Sequence, residues 1–243
     1  MKRAHLWLAL LIPLAAAAPA QTTHRVQTVF SVLPLSPAAQ RRVDAWLARA
    51  APWQARLAAI PADAPLAANL AERVAVDQGM RLLLSPSTTL DLPEADRIAA
   101  NNRIFGALVQ VDLANIAWLK TVIPQDGWFR ISRDGRDATH NAWLLVQHSP
   151  DQALMYTVVA RMAPLAKTGE VDGADYALLY DRIEVFAGRP QYYGSQYSCK
   201  GGRYVHDPIR DPAGVDARRK ALGMSSLADN AARINRNNGP CSG

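Results

Sequence analysis

The stretch DLPEADRIAANNRIFGALVQVDLANIAWLKTVI, residues 91–123, decides the fold. Its apolar members Ile98, Phe105, Leu108, Ile116 and Leu119 recur at steps of three, seven and eight residues, which return to one side of a helix. Asp91-x-x-Glu94 has the form of a capping box, so one long helix is expected to reach about Ile123. Upstream, Pro37 opens a helix with Val43 and Trp46-Leu47 on one side, which Pro52 kinks or restarts. Pro65 opens another, carrying Leu66, Leu70 and Val74. Downstream, a polar loop from Pro124 to Asp137 leads to helices at about Ala138–His148, Gln152–Ala166 and Gly173–Ala187. Asp172 introduces the last of these, and Gly188 and Pro190 end it. A Gly- and Tyr-rich segment follows, closed by short helices near Asp216–Ala221 and Leu227–Arg233.

Composition points the same way. Of 243 residues, 49% are hydrophobic and 7% aromatic, with 43 Ala and with 22 Arg against 5 Lys. Helix formers dominate and strand-favouring residues are scarce, while disordered, collagen-like and disulfide-built chains are excluded. The expected fold class is mainly α. A single helical domain over residues 64–243, with an irregular C-terminal wrap and little or no sheet, is preceded by an N-terminal helical extension over residues 21–63.

Residues 1–20 read as a signal peptide. Lys2 and Arg3 give a positive start, Leu6 to Ala18 an apolar core, and Ala18-Pro19-Ala20 an A-x-A site before Gln21. The apolar run is shorter than the ~20 residues a bilayer needs, and no later segment is expected to span a membrane. Cleavage lowers the formal charge from +6 to +4 by removing Lys2 and Arg3. A periplasmic or secreted location is therefore expected, and in an oxidising compartment Cys199 and Cys241 read as one disulfide pinning the C-terminus.

Polar residues interrupt the apolar stripes. The face made by Leu66, Leu70 and Val74 continues onto Asp77, Gln78 and Arg81, and the stripe of Leu108, Ile116 and Leu119 takes in Asp112 and Asn115. Gln147-His148 ends an apolar run, Asp181-Arg182 sits inside another, and Gln191, Tyr193 and Gln196 lie in a Gly-rich loop. Buried charges must be paired, so Arg81 and Arg182 are the expected partners of Asp77, Asp112 and Asp181.

Taken in order, Asp77-Gln78 with Arg81, Asp112-x-x-Asn115, Gly127-Trp128, Leu145-Val-Gln-His148, Tyr176-Ala-Leu-Leu-x-Asp-Arg182 and Gly188-x-Pro-Gln-x-Tyr-Gly-x-Gln196 resemble a bacterial family catalogued as domain of unknown function 6624. Asp216-Ala-Arg-Arg219 with Leu222-Gly223 also fits, so the similarity runs from about Leu70 to Asn230. The resemblance implies no activity. It implies that the polar interruptions form one set.

Common chemistries lack their signatures. HExxH is absent, and His140 and His148 on one helix would lie ~80° apart, a poor chelating pair. G-x-S-x-G, Walker and G-x-G-x-x-G patterns are absent too. No metal, cofactor or nucleic-acid partner is expected. Two readings stay open. In one, the set is a hydrolytic pocket for a small polar or anionic ligand: His148 is the general base, Asp112 or Asp181 orients it, Arg81 or Arg182 holds an anionic group, and Asp77, Gln78, Asn115, Gln147, Gln191, Tyr193 and Gln196 hold polar substrate. In the other, the same groups form a hydrogen-bond network in a structural or binding module of the envelope.

Overall fold

The computed structural model describes residues 33–241, the side chain of Pro86 excepted. The expected signal segment and the expected cleavage site at Gln21 lie outside the described residues. The chain is mainly α-helical, and its one sheet among the described residues has two strands. These residues group into two compact units, 33–129 with 133–151, and 130–132 with 152–241.

The first unit is built from α1 (Pro37–Ala58), α2 (Leu66–Arg81), α3 (Glu94–Val122) and α5 (Arg136–Gln147); the short α4 (Ile131–Asp134) precedes α5, and only its last two residues belong to this unit. Ser36 caps α1 through Ala39 N–H. Its hydroxyl also donates to Asp96 Oδ2 at 2.6 Å, tying the start of α1 to the first turn of α3. Pro52 lies inside α1, which neither stops nor restarts there. Both Pro52 and Ala48, whose carbonyl loses its partner, are exposed, so water can take that carbonyl. No capping box forms at α3. Pro93 is the residue before the helix, and Asp91 instead accepts from Arg42 Nη2 at 2.5 Å.

Trp46 and Ala50 of α1, Val76 and Met80 of α2, and Ile104, Leu108 and Val111 of α3 form the core of this unit. Burying such side chains contributes roughly 1.5–3 kcal/mol each, before the entropy of ordering them. Gly79 lets α2 approach α1 closely, since a Cβ there would stand 2.6 Å from the Trp53 ring. The residues that set the long helix, Leu108, Ile116 and Leu119, are all buried, with Asp112 and Asn115 among them. Ile98 is exposed and Phe105 half-buried.

The second unit holds α6 (Gln152–Thr168), α7 (Gly173–Phe186), the antiparallel strands β1 (Tyr197–Lys200) and β2 (Arg203–His206), α8 (Val215–Ala221) and α9 (Leu227–Asn238). Asp172 caps α7 by accepting from Ala174 N–H. Met155, Val158 and Met162 of α6 and Ala177, Leu179 and Ile183 of α7 are buried. Helix α9 packs on the hairpin, where Asn235 both accepts from Tyr204 N–H and donates to Tyr204 C=O, at 2.9 Å each. The Cys199–Cys241 disulfide, Cα atoms 5.8 Å apart, fastens the tail to β1. No helix of the described residues is long and apolar enough to cross a membrane.

Candidate functional site

Helix α2 carries Asn69, Arg73, Asp77 and Arg81 at steps of four, so these side chains share one side. Asp112 and Asn115 stand one turn apart on α3, and His148 follows the last residue of α5. Packing of the three helices brings these groups together. Arg81 Nη1 donates to Asp77 Oδ1 at 2.6 Å, while its Nη2 donates to both oxygens of Asp112 at 3.0 Å. Asp77 Oδ2 accepts from Gln78 Nε2 at 2.7 Å and lies 2.9 Å from His148 Nδ1. The Asp77 side chain is fully buried, whereas those of His148 and Arg81 keep 13% and 17% exposure, so the cluster reaches solvent on one side.

The two carboxylates differ in acidity. For Asp77 burial opposes ionisation, but the charge and hydrogen bond of His148, the Arg81 guanidinium and the Gln78 amide outweigh it and hold the group below the usual carboxylate range. Burial pushes Asp112 up to about 7, and the adjacent Asp77 charge adds to that, against the downward pull of Arg81. One guanidinium thus serves two carboxyl groups, only one of which is fully ionised near neutrality.

A second row lies along α2. Arg73 Nε donates to Asn69 Oδ1 at 2.7 Å and Nη1 to Asn115 Oδ1 at 3.2 Å, and its guanidinium stands 4.3 Å from the Trp118 ring centroid. Sequence reading missed Asn69, Arg73 and Trp118. The four-residue repeat from Asn69 to Arg81 was the available signal.

The other sequence-derived residues fall in the second unit, except Gln147, which ends α5 and is buried. Asp181 is fully buried and accepts from the backbone N–H of Tyr192 at 2.7 Å, Tyr193 at 2.9 Å and Ser195 at 2.9 Å. Burial raises its pKa, and these N–H groups oppose the rise. The expected arginine role is thus taken here by backbone donors of the Gly188–Gln196 loop. Gln191 braces the same loop: its Nε2 donates to the carbonyls of Gln196 and Asp207, and its Oε1 accepts from Gln196 N–H. Gln196 Nε2 donates to Ser195 Oγ at 3.2 Å. Tyr193 packs edge-on against Tyr180 and Tyr192, and Arg182 lies over the Phe186 ring at 5.8 Å. Arg219, also missed, is buried and donates to the carbonyls of Tyr193 and Ser225 at 2.7 Å.

The first cluster can therefore do acid–base chemistry, and the second holds a loop. Among the described residues no group of three or more His, Cys, Asp or Glu could hold a metal ion. No curated protein and no solved structure matches the chain. A family model described as "Family of unknown function (DUF6624)" matches residues 67–239, a span that takes in both clusters, and the chain belongs to that family.

Proposed function

We propose that the chain is an exported protein of the bacterial cell envelope, periplasmic or secreted after cleavage near Gln21, and that Asp77, His148 and Asp112 are the acid–base centre of a hydrolase. Export is supported by the signal-like first 20 residues and by the disulfide. The observation that carries the catalytic half is the sharing of Arg81 between Asp77, which is bonded to His148, and Asp112, whose carboxyl is pushed up to about 7. A pair of acidities driven apart at one place is the arrangement that supplies a base and an acid together.

In the form of His148 that has given up one proton, Nδ1–H held by Asp77 Oδ2 leaves the lone pair on Nε2. That nitrogen takes a proton from water as the water oxygen attacks a carbonyl carbon, and protonated Asp112 gives its proton to the departing alcohol or amine. Solvent then returns the proton from His148 to Asp112. Arg81 keeps Asp77 ionised throughout.

The test is hydrolysis of a panel of esters and amides by the mature chain and by His148→Ala and Asp77→Asn. Turnover should fall at least ~100-fold in both variants, the lower end of what general acid–base groups contribute. A substrate cleaved equally well by His148→Ala refutes the assignment. One observation favours the second reading, a structural or binding module: both oxygens of Asp77 are already paired. Under that reading His148→Ala loses stability and no substrate is found.

A further inference from the structure

Arg73 differs from the other arginine of the seam. Arg81 is paired with two carboxyl groups, of which Asp77 carries the full charge, whereas both hydrogen-bond partners of Arg73 are neutral amides, Asn69 and Asn115. Trp118 covers one face of its guanidinium. No ion pair among the described residues includes Arg73, and burial lowers its pKa with no carboxylate acting to raise it. Withdrawing a cation from water without a counter-ion is costly. The amides fix its orientation and leave its charge unspent.

A second unmet group lies against it. Asn115 is 1% exposed and its Nδ2 has no hydrogen-bond partner, although Oδ1 of the same amide accepts from Arg73. A buried donor left open is exceptional in a native structure. Meanwhile Nε of Arg73 serves Asn69 and one N–H of Nη1 serves Asn115, which leaves one Nη1 proton and Nη2 without a partner among the described residues. Guanidinium N–H groups to spare are matched by the two oxygens of a carboxylate.

We propose that Arg73, set between Asn69 and Asn115 and stacked on Trp118, binds a carboxylate group of an organic ligand. One uncompensated positive charge calls for a monoanion, which favours a carboxylate over a phosphate carrying up to about two charges at neutral pH. Arg73 precedes Asp77 by four residues, about 6 Å of helical rise. The proposal thus deepens the hydrolase reading, on which its catalytic meaning rests: the substrate carries a carboxylate a short distance from the bond that is cleaved.

Thermal melting of the mature chain in sodium propionate, against sodium chloride at equal ionic strength and pH 7.5, tests it. Propionate should raise the melting temperature saturably. Arg73→Gln and Arg73→Lys should each weaken its apparent affinity at least tenfold, the lysine keeping the charge and losing the fork. If Arg73→Gln does not fold, Arg73→Lys decides. A rise equal to that in chloride, unchanged affinity in Arg73→Lys, or stronger protection by inorganic phosphate than by propionate overturns the proposal. His148→Ala should keep propionate binding, so failure to find any hydrolysis would remove the catalytic reading and leave the carboxylate site standing.

Discussion

Replacing Asp112 by Asn tests the acid–base cluster without any knowledge of the substrate. The folded-state carboxyl titrates near 7, against about 3.9 in an unfolded chain. Between those values the folded protein holds a proton that the unfolded chain has lost, so stability falls as pH rises through this window and is flat above it. Three units at about 1.36 kcal/mol each give roughly 4 kcal/mol of destabilisation by pH 8. Asn is neutral at every pH and escapes this cost, but it loses the paired bonds from Arg81, worth roughly 1.5–3 kcal/mol. Asp112→Asn is thus expected to be less stable than the parent at pH 5 and more stable by about 1–2 kcal/mol at pH 8, a rise of roughly 2–8 °C in melting temperature. Melting curves of both proteins at pH 5, 6, 7 and 8 supply the difference. Groups common to both largely cancel, among them Asp181, whose burial-raised pKa acts in the same direction. Asp77 works oppositely: its folded-state pKa is depressed, so its stabilisation is lost only as pH falls through that low value, below the window used. A stability difference constant from pH 5 to 8 would show that Asp112 is ionised throughout, and the reasoning would fail.

The remaining predictions concern other parts of the chain. His148→Ala, measured by melting at pH 7.5, should cost under about 1 kcal/mol if the cluster is catalytic, because optimised active sites trade stability for function; a loss above about 3 kcal/mol, the cost of breaking a buried pair, supports the structural reading. Asp181→Ala leaves the N–H groups of Tyr192, Tyr193 and Ser195 without their acceptor, and at about 1–3 kcal/mol for each unsatisfied donor denaturant unfolding should show a loss of at least ~3 kcal/mol. Replacing both Cys199 and Cys241 by Ser opens a loop spanning 42 residues, worth about 4 kcal/mol in the chain-entropy account, and should speed proteolysis of the tail; an unchanged cleavage rate would contradict the pinning role. Gly79→Ala drives a Cβ to 2.6 Å from the Trp53 ring, so overpacking of about 1–3 kcal/mol should exceed the roughly 1 kcal/mol that Ala gains in a helix; a net rise in stability would sink that argument.

What could be read from the sequence, and what could not, follows from the range of each interaction. The periodicity of residues 91–123 placed Asp112 and Asn115 on the buried stripe, and both are buried, because side-chain direction within one helix depends only on local geometry. The hairpin of Tyr197–Lys200 with Arg203–His206 left little trace, since its strands are four residues each, too short for alternation to stand out. Asp91 carried a local signal that the fold overrode, because Arg42, 49 residues away, takes its carboxylate, whereas Pro52 is accommodated inside one continuous helix on a face that meets water. Partner choice is harder still. The Asp77–His148 contact spans 71 residues and Arg73–Asn115 spans 42, so each depends on where two helices cross, a quantity that no single stripe contains. The expectation of an arginine for every buried aspartate held for Asp77 and Asp112, whose neighbours are helices with their backbone groups already spent. Asp181 faces a loop whose N–H groups have no ladder to join, and there the backbone is the nearer donor. By the same logic Arg73, on a helix packed against helices, finds two neutral amides and no carboxylate among the described residues, and the carboxylate ligand proposed for it would supply the charge that those amides lack.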